Sequence, residues 1–287
     1  MFAIRFNRGL AALILLVTFS ITACESSEMQ NKTTSESPTE GIDWQKIASK
    51  RIYFGHQSVG NNILAGVRLL AKESGHELNI VQGTDPAQLN RPAILHSPVG
   101  ENEKPNTKNE SFARVMTHEL RGKPEVAFYK YCYVDVKRDT NPEQLFADYK
   151  KTVDTVLAAN PQLTMVHITT PLTVNQTGPK AWLKQVLGKP VAGLRENQVR
   201  ARFNELLYKQ YGGKAPIFDL AKYESTREDG SRSSYEVDGK TYYSLAPEYS
   251  DDGGHLNERG QRFVAAHFLR FLSQLPDTAK PVAVGAR

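Results

Sequence analysis

The chain has 287 residues, two cysteines and a formal net charge of +5, a total that includes Arg5 and Arg8 close to the N-terminus. So small a charge, with no Lys/Arg stripe interleaved with aromatic residues, gives no reason to expect a nucleic-acid partner. Between its two ends lie about 235 residues, enough for one α/β domain with a sizeable core.

Residues 1–9 carry no acid, and residues 10–23 (LAALILLVTFSITA) form an apolar run too short to span a bilayer comfortably. The run ends in Ile21-Thr22-Ala23-Cys24, which resembles the bacterial lipobox. That resemblance implies a lipoprotein signal peptide over residues 1–23 and a diacylglycerol on Cys24. The protein would then be exported and lipid-anchored in the cell envelope. Glu25 rather than Asp after the cysteine favours the outer membrane of a Gram-negative cell. An ordinary signal or a short membrane anchor with a coincidental cysteine is the competing reading. Residues 24–42, almost wholly polar, read as a flexible tether.

The expected domain, residues 43–275, alternates short apolar strands with amphipathic helices, the pattern of a parallel sheet covered on both faces. Residues 51–55 (RIYFG) read as the first strand, 62–74 as a helix and 77–81 as a second strand. Residues 83–109 have little periodicity and several Pro and Gly, so a long loop is expected there. A short helix follows at 111–120 and a strand at 125–134, where Cys132 reads as an inert core thiol. With Cys24 lipidated, no internal disulfide is possible. Leu145, Tyr149, Val153, Val156 and Leu157 recur at helical spacing over 142–159. Then come a buried strand at 163–169, a helix at 196–211 and a strand at 216–220. A hairpin around Asp238-Gly239 and a last helix at 258–272 complete the domain, before a tail at 276–287.

Two patterns carry chemistry. In Asp251-Asp252-Gly253-Gly254-His255-Leu256-Asn257, Asp252 and His255 stand three apart, within reach of each other on a helical turn. A carboxylate there holds one imidazole nitrogen protonated and aims the other at a nucleophile. At the other end, Gly55-His56-Gln57-Ser58-Val59-Gly60 joins the first strand to the first helix. Ser58 would sit at the C-terminal edge of a parallel sheet and at a helix N-terminus, whose N–H groups stabilise an oxyanion. An ordinary helix N-cap is the competing reading of Ser58. His56 is open between substrate contact, donation to the oxyanion and capping of the strand. His167 reads as a core histidine. His76, His96, His118 and His267 lack metal-ligand spacing, so neither metal nor cofactor is expected. Tyr235, Tyr242, Tyr243 and Tyr249 are open between a lid and simple hairpin packing.

Strand–Gly–x–x–Ser–helix at the start and Asp-x-x-His-Leu-Asn-x-x-Gly at the end together resemble the SGNH/GDSL hydrolase superfamily. Tyr149…Asn160-Pro161 before the strand MVHITTP, and Arg202-Phe203-Asn204 before Ile217-Phe218-Asp219-Leu220, extend the resemblance over most of residues 50–273. It implies a three-layer α/β/α fold with a mainly parallel, flavodoxin-like sheet. It also implies Ser58 as nucleophile, His255 as general base and Asp252 as its orienter, with an oxyanion hole from the Ser58 and Gly100 N–H groups. Two departures stand out: the nucleophile turn is one residue longer than Gly-Asp-Ser, and Tyr131-Cys132-Tyr133-Val134-Asp135 replaces the expected Gly-x-Asn-Asp. Asn102, Lys130 and Tyr133 are the candidates for the missing donor, and His56, Lys130 and Tyr133 those for substrate contact. The expected activity is a serine esterase acting on an acyl ester, with deacetylation of an envelope or extracellular glycan as the finer expectation. A non-catalytic glycan-binding envelope lipoprotein and an O-acyltransferase are the alternatives.

Overall fold

A computed structural model describes residues 38–276. The expected signal peptide, Cys24 and most of the expected tether and tail lie outside the described residues. In chain order the elements are α1 (Trp44–Ala48), β1 (Arg51–His56), α2 (Val59–Glu73), β2 (Ile80–Gln82), β3 (Ala93–Pro98), α3 (Pro105–Arg114) and β4 (Val126–Tyr129). They continue with α4 (Pro142–Ala159), β5 (Thr164–Met165), β6 (His167–Ile168), α5 (Pro179–Val186), α6 (Leu194–Tyr211) and β7 (Ile217–Phe218). The last are α7 (Leu220–Ser225), β8 (Ser234–Val237), β9 (Lys240–Tyr243) and α8 (Glu258–Gln274).

Strands β2-β3-β1-β4-β5 hydrogen-bond in that order, every pair parallel. Strand β6 continues the path of β5 past Val166 and pairs in parallel with β7. Without the short edge strand β2, the order β3-β1-β4-β5/β6-β7 is the flavodoxin-like one. Helices cover both faces, so the expected three-layer α/β/α architecture is observed. Such a sheet buries both sides of its central strands, which is why β1 reads RIYFGH with all but Arg51 buried. Ile52 and Phe54 pack with α2, α7 and α8, whereas Tyr53 packs among α3, α4 and α6. On α2 the stripe Ile63, Val67, Leu70, and on α8 the stripe Val264, Phe268, Leu272, recur at helical spacing and are fully buried. Truncating Phe268 to Ala would cost about 3–5 kcal/mol by leaving a cavity.

Two expectations from sequence need correction. The stretch expected as a long loop holds β3, a buried strand beside β1, and its last residues belong to α3. AILHSP is buried on both faces, so it lacks the alternation that marks a half-exposed strand, and Pro92 and Pro98 bracket it. The strand expected to reach residue 134 stops at Tyr129. The Asp135 carboxylate accepts the Cys132 N–H (2.6 Å) and turns the chain into a short 3-10 segment. The Asp238-Gly239 hairpin forms as expected, with positive φ at both residues. The last residues of the expected tether are tied down: Arg270 donates to the carbonyls of Glu40 (2.9 Å) and Pro38 (2.8 Å).

Candidate active site

Strand β1 delivers its last residues to the C-terminal edge of the sheet, and the chain must reverse at once to enter α2. Ser58 makes that reversal at φ 47° and ψ −104°, a region L-residues rarely occupy. Its side chain makes no capping hydrogen bond, so the ordinary N-cap reading does not describe it. A sharp strand-to-helix turn of this kind presents a serine hydroxyl outward at the edge of the sheet. The turn fits only because residue 60 is glycine: a Cβ there would stand 2.4 Å from atoms of the His56 side chain.

The facing turn precedes α8. The Asp252 carboxylate accepts the His255 Nδ1–H at 2.6 Å, and its other oxygen accepts the backbone N–H groups of Gly254 (2.9 Å) and His255 (2.8 Å). Partial burial pushes the Asp252 carboxyl up, but these three hydrogen bonds outweigh it and hold the group well below the usual carboxylate range. A proton on Nδ1 leaves Nε2 as the lone-pair nitrogen, the form a general base needs. Both side chains stay accessible, His255 at 44% and Asp252 at 56%. Asn62, one turn into α2 from Ser58, accepts the Leu256 N–H at 3.2 Å and ties this turn to the serine's helix. Among the described residues no hydrogen bond joins Ser58 to the His255 ring. The Tyr133 hydroxyl lies 3.4 Å from Nδ1 and 3.5 Å from Nε2, nearly equidistant and so not aligned with the Nε2 lone pair.

The other candidates fall into two groups. Gly100 lies beside the Ser58 turn: Gln57 Nε2 donates to its carbonyl at 2.7 Å. Neither the Ser58 nor the Gly100 N–H donates a hydrogen bond within the described residues. Gly100 has φ +55°, and a Cβ would meet the Lys108 backbone nitrogen at 2.4 Å, so no other residue fits. Asn102 is exposed, and its carboxamide oxygen accepts from Lys108, whose ammonium forms a fully buried ion pair with Asp135 at 2.6 Å. That pair braces the first turn of α3 against the turn after β4.

His56 and Lys130 are both enclosed, each 1% exposed, in a polar layer beneath the two turns. An arginine only donates, so Arg68 Nη2 at 3.3 Å makes His96 Nε2 an acceptor. His96 Nδ1–H must then donate to His56 Nε2 at 3.0 Å, and the remaining proton of His56 sits on Nδ1, buried without a partner. Burial, with the nearby charges of Lys130 and Arg68, pushes the His56 imidazole down to about 2, which keeps it neutral. Among the described residues Lys130 Nζ reaches only the Tyr131 carbonyl (3.4 Å) and Cys132 Sγ (3.6 Å). Glu224 was not singled out from sequence, because nothing near it distinguishes it. It is fully buried, accepts the Leu172 N–H at 2.6 Å, and is pushed up to about 8 by burial against the opposing charges of Lys130 and Arg200. His167 is the expected core histidine, bonded to the Tyr149 hydroxyl at 2.8 Å. Tyr235 bonds the Leu194 carbonyl (2.6 Å) and stacks on Tyr242, while Tyr249 is fully buried.

No protein-family model and no curated protein matches the chain. Among solved structures it is similar to a GDSL-like lipase from Bacteroides thetaiotaomicron at 13% identity, with a TM-score of 0.45 over 82% of this chain and 99% of that one. It is similar to a lipase/acylhydrolase from Enterococcus faecalis at 14% identity and TM-score 0.41, covering 80% and 99%. A third is the periplasmic domain of a lipopolysaccharide acetyltransferase from Salmonella ser. Paratyphi A, at 12% identity and TM-score 0.40, covering 76% and 81%.

Proposed function

We propose that the chain is a serine hydrolase of acyl esters. The observation that carries this reading is the Ser58 turn: a serine held at positive φ, its hydroxyl not used as a cap, at the sheet edge to which Asn62 ties the Asp252–His255 pair. In the reaction Ser58 Oγ attacks the ester carbonyl while His255 Nε2 takes its proton. The N–H groups of Ser58 and Gly100 receive the oxyanion. His255 returns the proton to the departing alcohol, leaving an acyl-serine, and a water activated by the same nitrogen releases the acid. Asp252 keeps the imidazole in the required tautomer throughout.

The test is hydrolysis of a panel of small acyl esters, together with labelling by a serine-directed fluorophosphonate. Turnover and label on Ser58, both lost in Ser58→Ala, are the expected results. No turnover across the panel and no label would remove the reading. A second reading, a glycan-binding envelope protein without catalysis, is favoured by the lack of a Ser58–His255 hydrogen bond. It requires binding to an acetylated glycan that Ser58→Ala leaves unchanged. Transfer to an added sugar outrunning hydrolysis would make the enzyme an acyltransferase. A glycan ester as substrate and anchoring of the exported chain through Cys24 belong to the same proposal. Metabolic labelling with an alkyne fatty acid, lost in Cys24→Ala, tests the anchor.

A further inference from the structure

Among the described residues, five large hydrophobic side chains are exposed, and four of them cluster on or just after α5: Trp182 at 65%, Leu183 at 51%, Val186 at 62% and Leu187 at 57%. At 3.6 residues per turn these four fall within an arc of about 140°. Ala181 is the buried contact of the helix. Lys180 and Lys184 border the apolar arc and Lys189 follows it. No Asp or Glu occurs between Leu172 and Arg195, so the segment is purely cationic. The helix is held in place rather than dangling. Val174 N–H donates to the Gly253 carbonyl at 2.9 Å, Gln176 N–H to that of Ala192 at 2.9 Å, and Lys184 Nζ to Gln176 Oε1 at 2.7 Å.

A contiguous exposed apolar patch marks an interaction surface. Its chemistry selects the partner: an indole and three aliphatic side chains on one face, flanked by Lys180 and Lys184 in a segment that itself carries no acid, match the boundary between anionic headgroups and acyl chains. We propose that α5 is an interfacial anchor that seats Trp182, Leu183, Val186 and Leu187 in a bilayer containing anionic phospholipid. Lys180, Lys184 and Lys189 then meet the phosphates. Among the described residues no helix is long and apolar enough to cross a membrane, so this contact lies on the surface of the bilayer. It is independent of the esterase reading. The Val174–Gly253 bond links the segment that leads into α5 to the Asp252–His255 turn.

The chain has two tryptophans, and Trp44 is buried against His76, so Trp182 reports on its own surface once Trp44→Phe is made. Full-chain Trp44→Phe protein is mixed with phosphatidylcholine vesicles with and without phosphatidylglycerol. The expected result is a blue shift of the Trp182 emission with the anionic vesicles and quenching by brominated acyl chains. Partitioning should weaken about fivefold for each Lys→Gln at 180, 184 and 189. Because the readout is the Trp182 environment, insertion of the N-terminal apolar run does not imitate it. Emission unchanged at saturating lipid overturns the proposal, as does a blue shift that appears without lipid and grows with protein concentration, the sign of a second copy on the patch. Should Trp44→Phe unfold, quenching by brominated acyl chains is compared between the wild-type chain, in which buried Trp44 is out of reach of lipid, and Leu183→Ser/Val186→Ser, with equal quenching overturning the proposal.

Discussion

The two turns that meet at the sheet edge are built on opposite principles. Before α2, Ser58 sits in a costly backbone conformation, and neither its hydroxyl nor its N–H makes a hydrogen bond within the fold. Before α8, Asp252 gathers the Gly254 N–H, the His255 N–H, the His255 ring and the Ser250 hydroxyl on one carboxylate. One turn keeps its polar groups unspent; the other uses nearly all of them to fix a single imidazole. The contrast is what a nucleophile and a base require, since reactivity needs unmet hydrogen-bonding capacity and orientation needs it met.

The contrast can be broken from either side. Ser58→Ala should lower turnover by roughly 10⁴-fold or more with the melting temperature little changed, as judged by ester hydrolysis and circular dichroism. Asp252→Asn keeps the geometry but removes the preference for a proton on Nδ1, so turnover should fall roughly 10²- to 10⁴-fold. A loss below tenfold would mean that His255 is not the working base. Gly100→Ala places a Cβ against the Lys108 backbone at a positive φ, and urea unfolding should register a loss of about 2–3 kcal/mol.

Two buried titratable groups give a pH signature. Burial pushes His167 down to about 4, so between pH 6.5 and 4 the unfolded chain binds a proton that the folded one refuses. Stability therefore falls on acidification through that window, by up to about 1.4 kcal/mol per pH unit for each such histidine. Glu224 works the other way. With its carboxyl at about 8, the folded chain keeps a proton that the unfolded chain has lost above its ordinary 4.5. Stability then declines as pH rises towards 8, and Glu224→Gln should flatten that limb in a series of melts. The smallest change in stability expected is from Ser58→Gly, which relieves the strained φ and should raise stability by about 1 kcal/mol.

Much of the fold was legible because the elements that make it are long or strongly patterned. Helices α4, α6 and α8 and strand β1 were placed within a few residues. Strand β3 was not, because burial on both faces erases the period that reveals a strand. Asp252 and His255 were legible because their pairing is local, three residues apart on one turn. Ser58 was legible only as a position. Its conformation depends on the packing of His56 against Gly60, and its relation to the second turn depends on Asn62, almost two hundred residues from Leu256 in sequence. The buried pair Lys108–Asp135 and the burial of Lys130 and Glu224 are products of tertiary contact alone, with no local spacing to betray them. The exposure of the apolar face of α5 was likewise hidden, since only the structure shows which way that face points.

The Arg68–His96–His56 chain has a last consequence, for the traffic of protons. His56 is only two residues from Ser58 and is chemically able to serve as a base, yet both its nitrogens are spoken for. Nε2 receives the His96 N–H, and Nδ1 carries the only proton that the order of donors permits. The floor of the site is insulated: no serine proton can leave downwards, and none can arrive from Arg68, which never gives one up. On the proposed mechanism, the proton that Ser58 releases leaves through His255 rather than through His56.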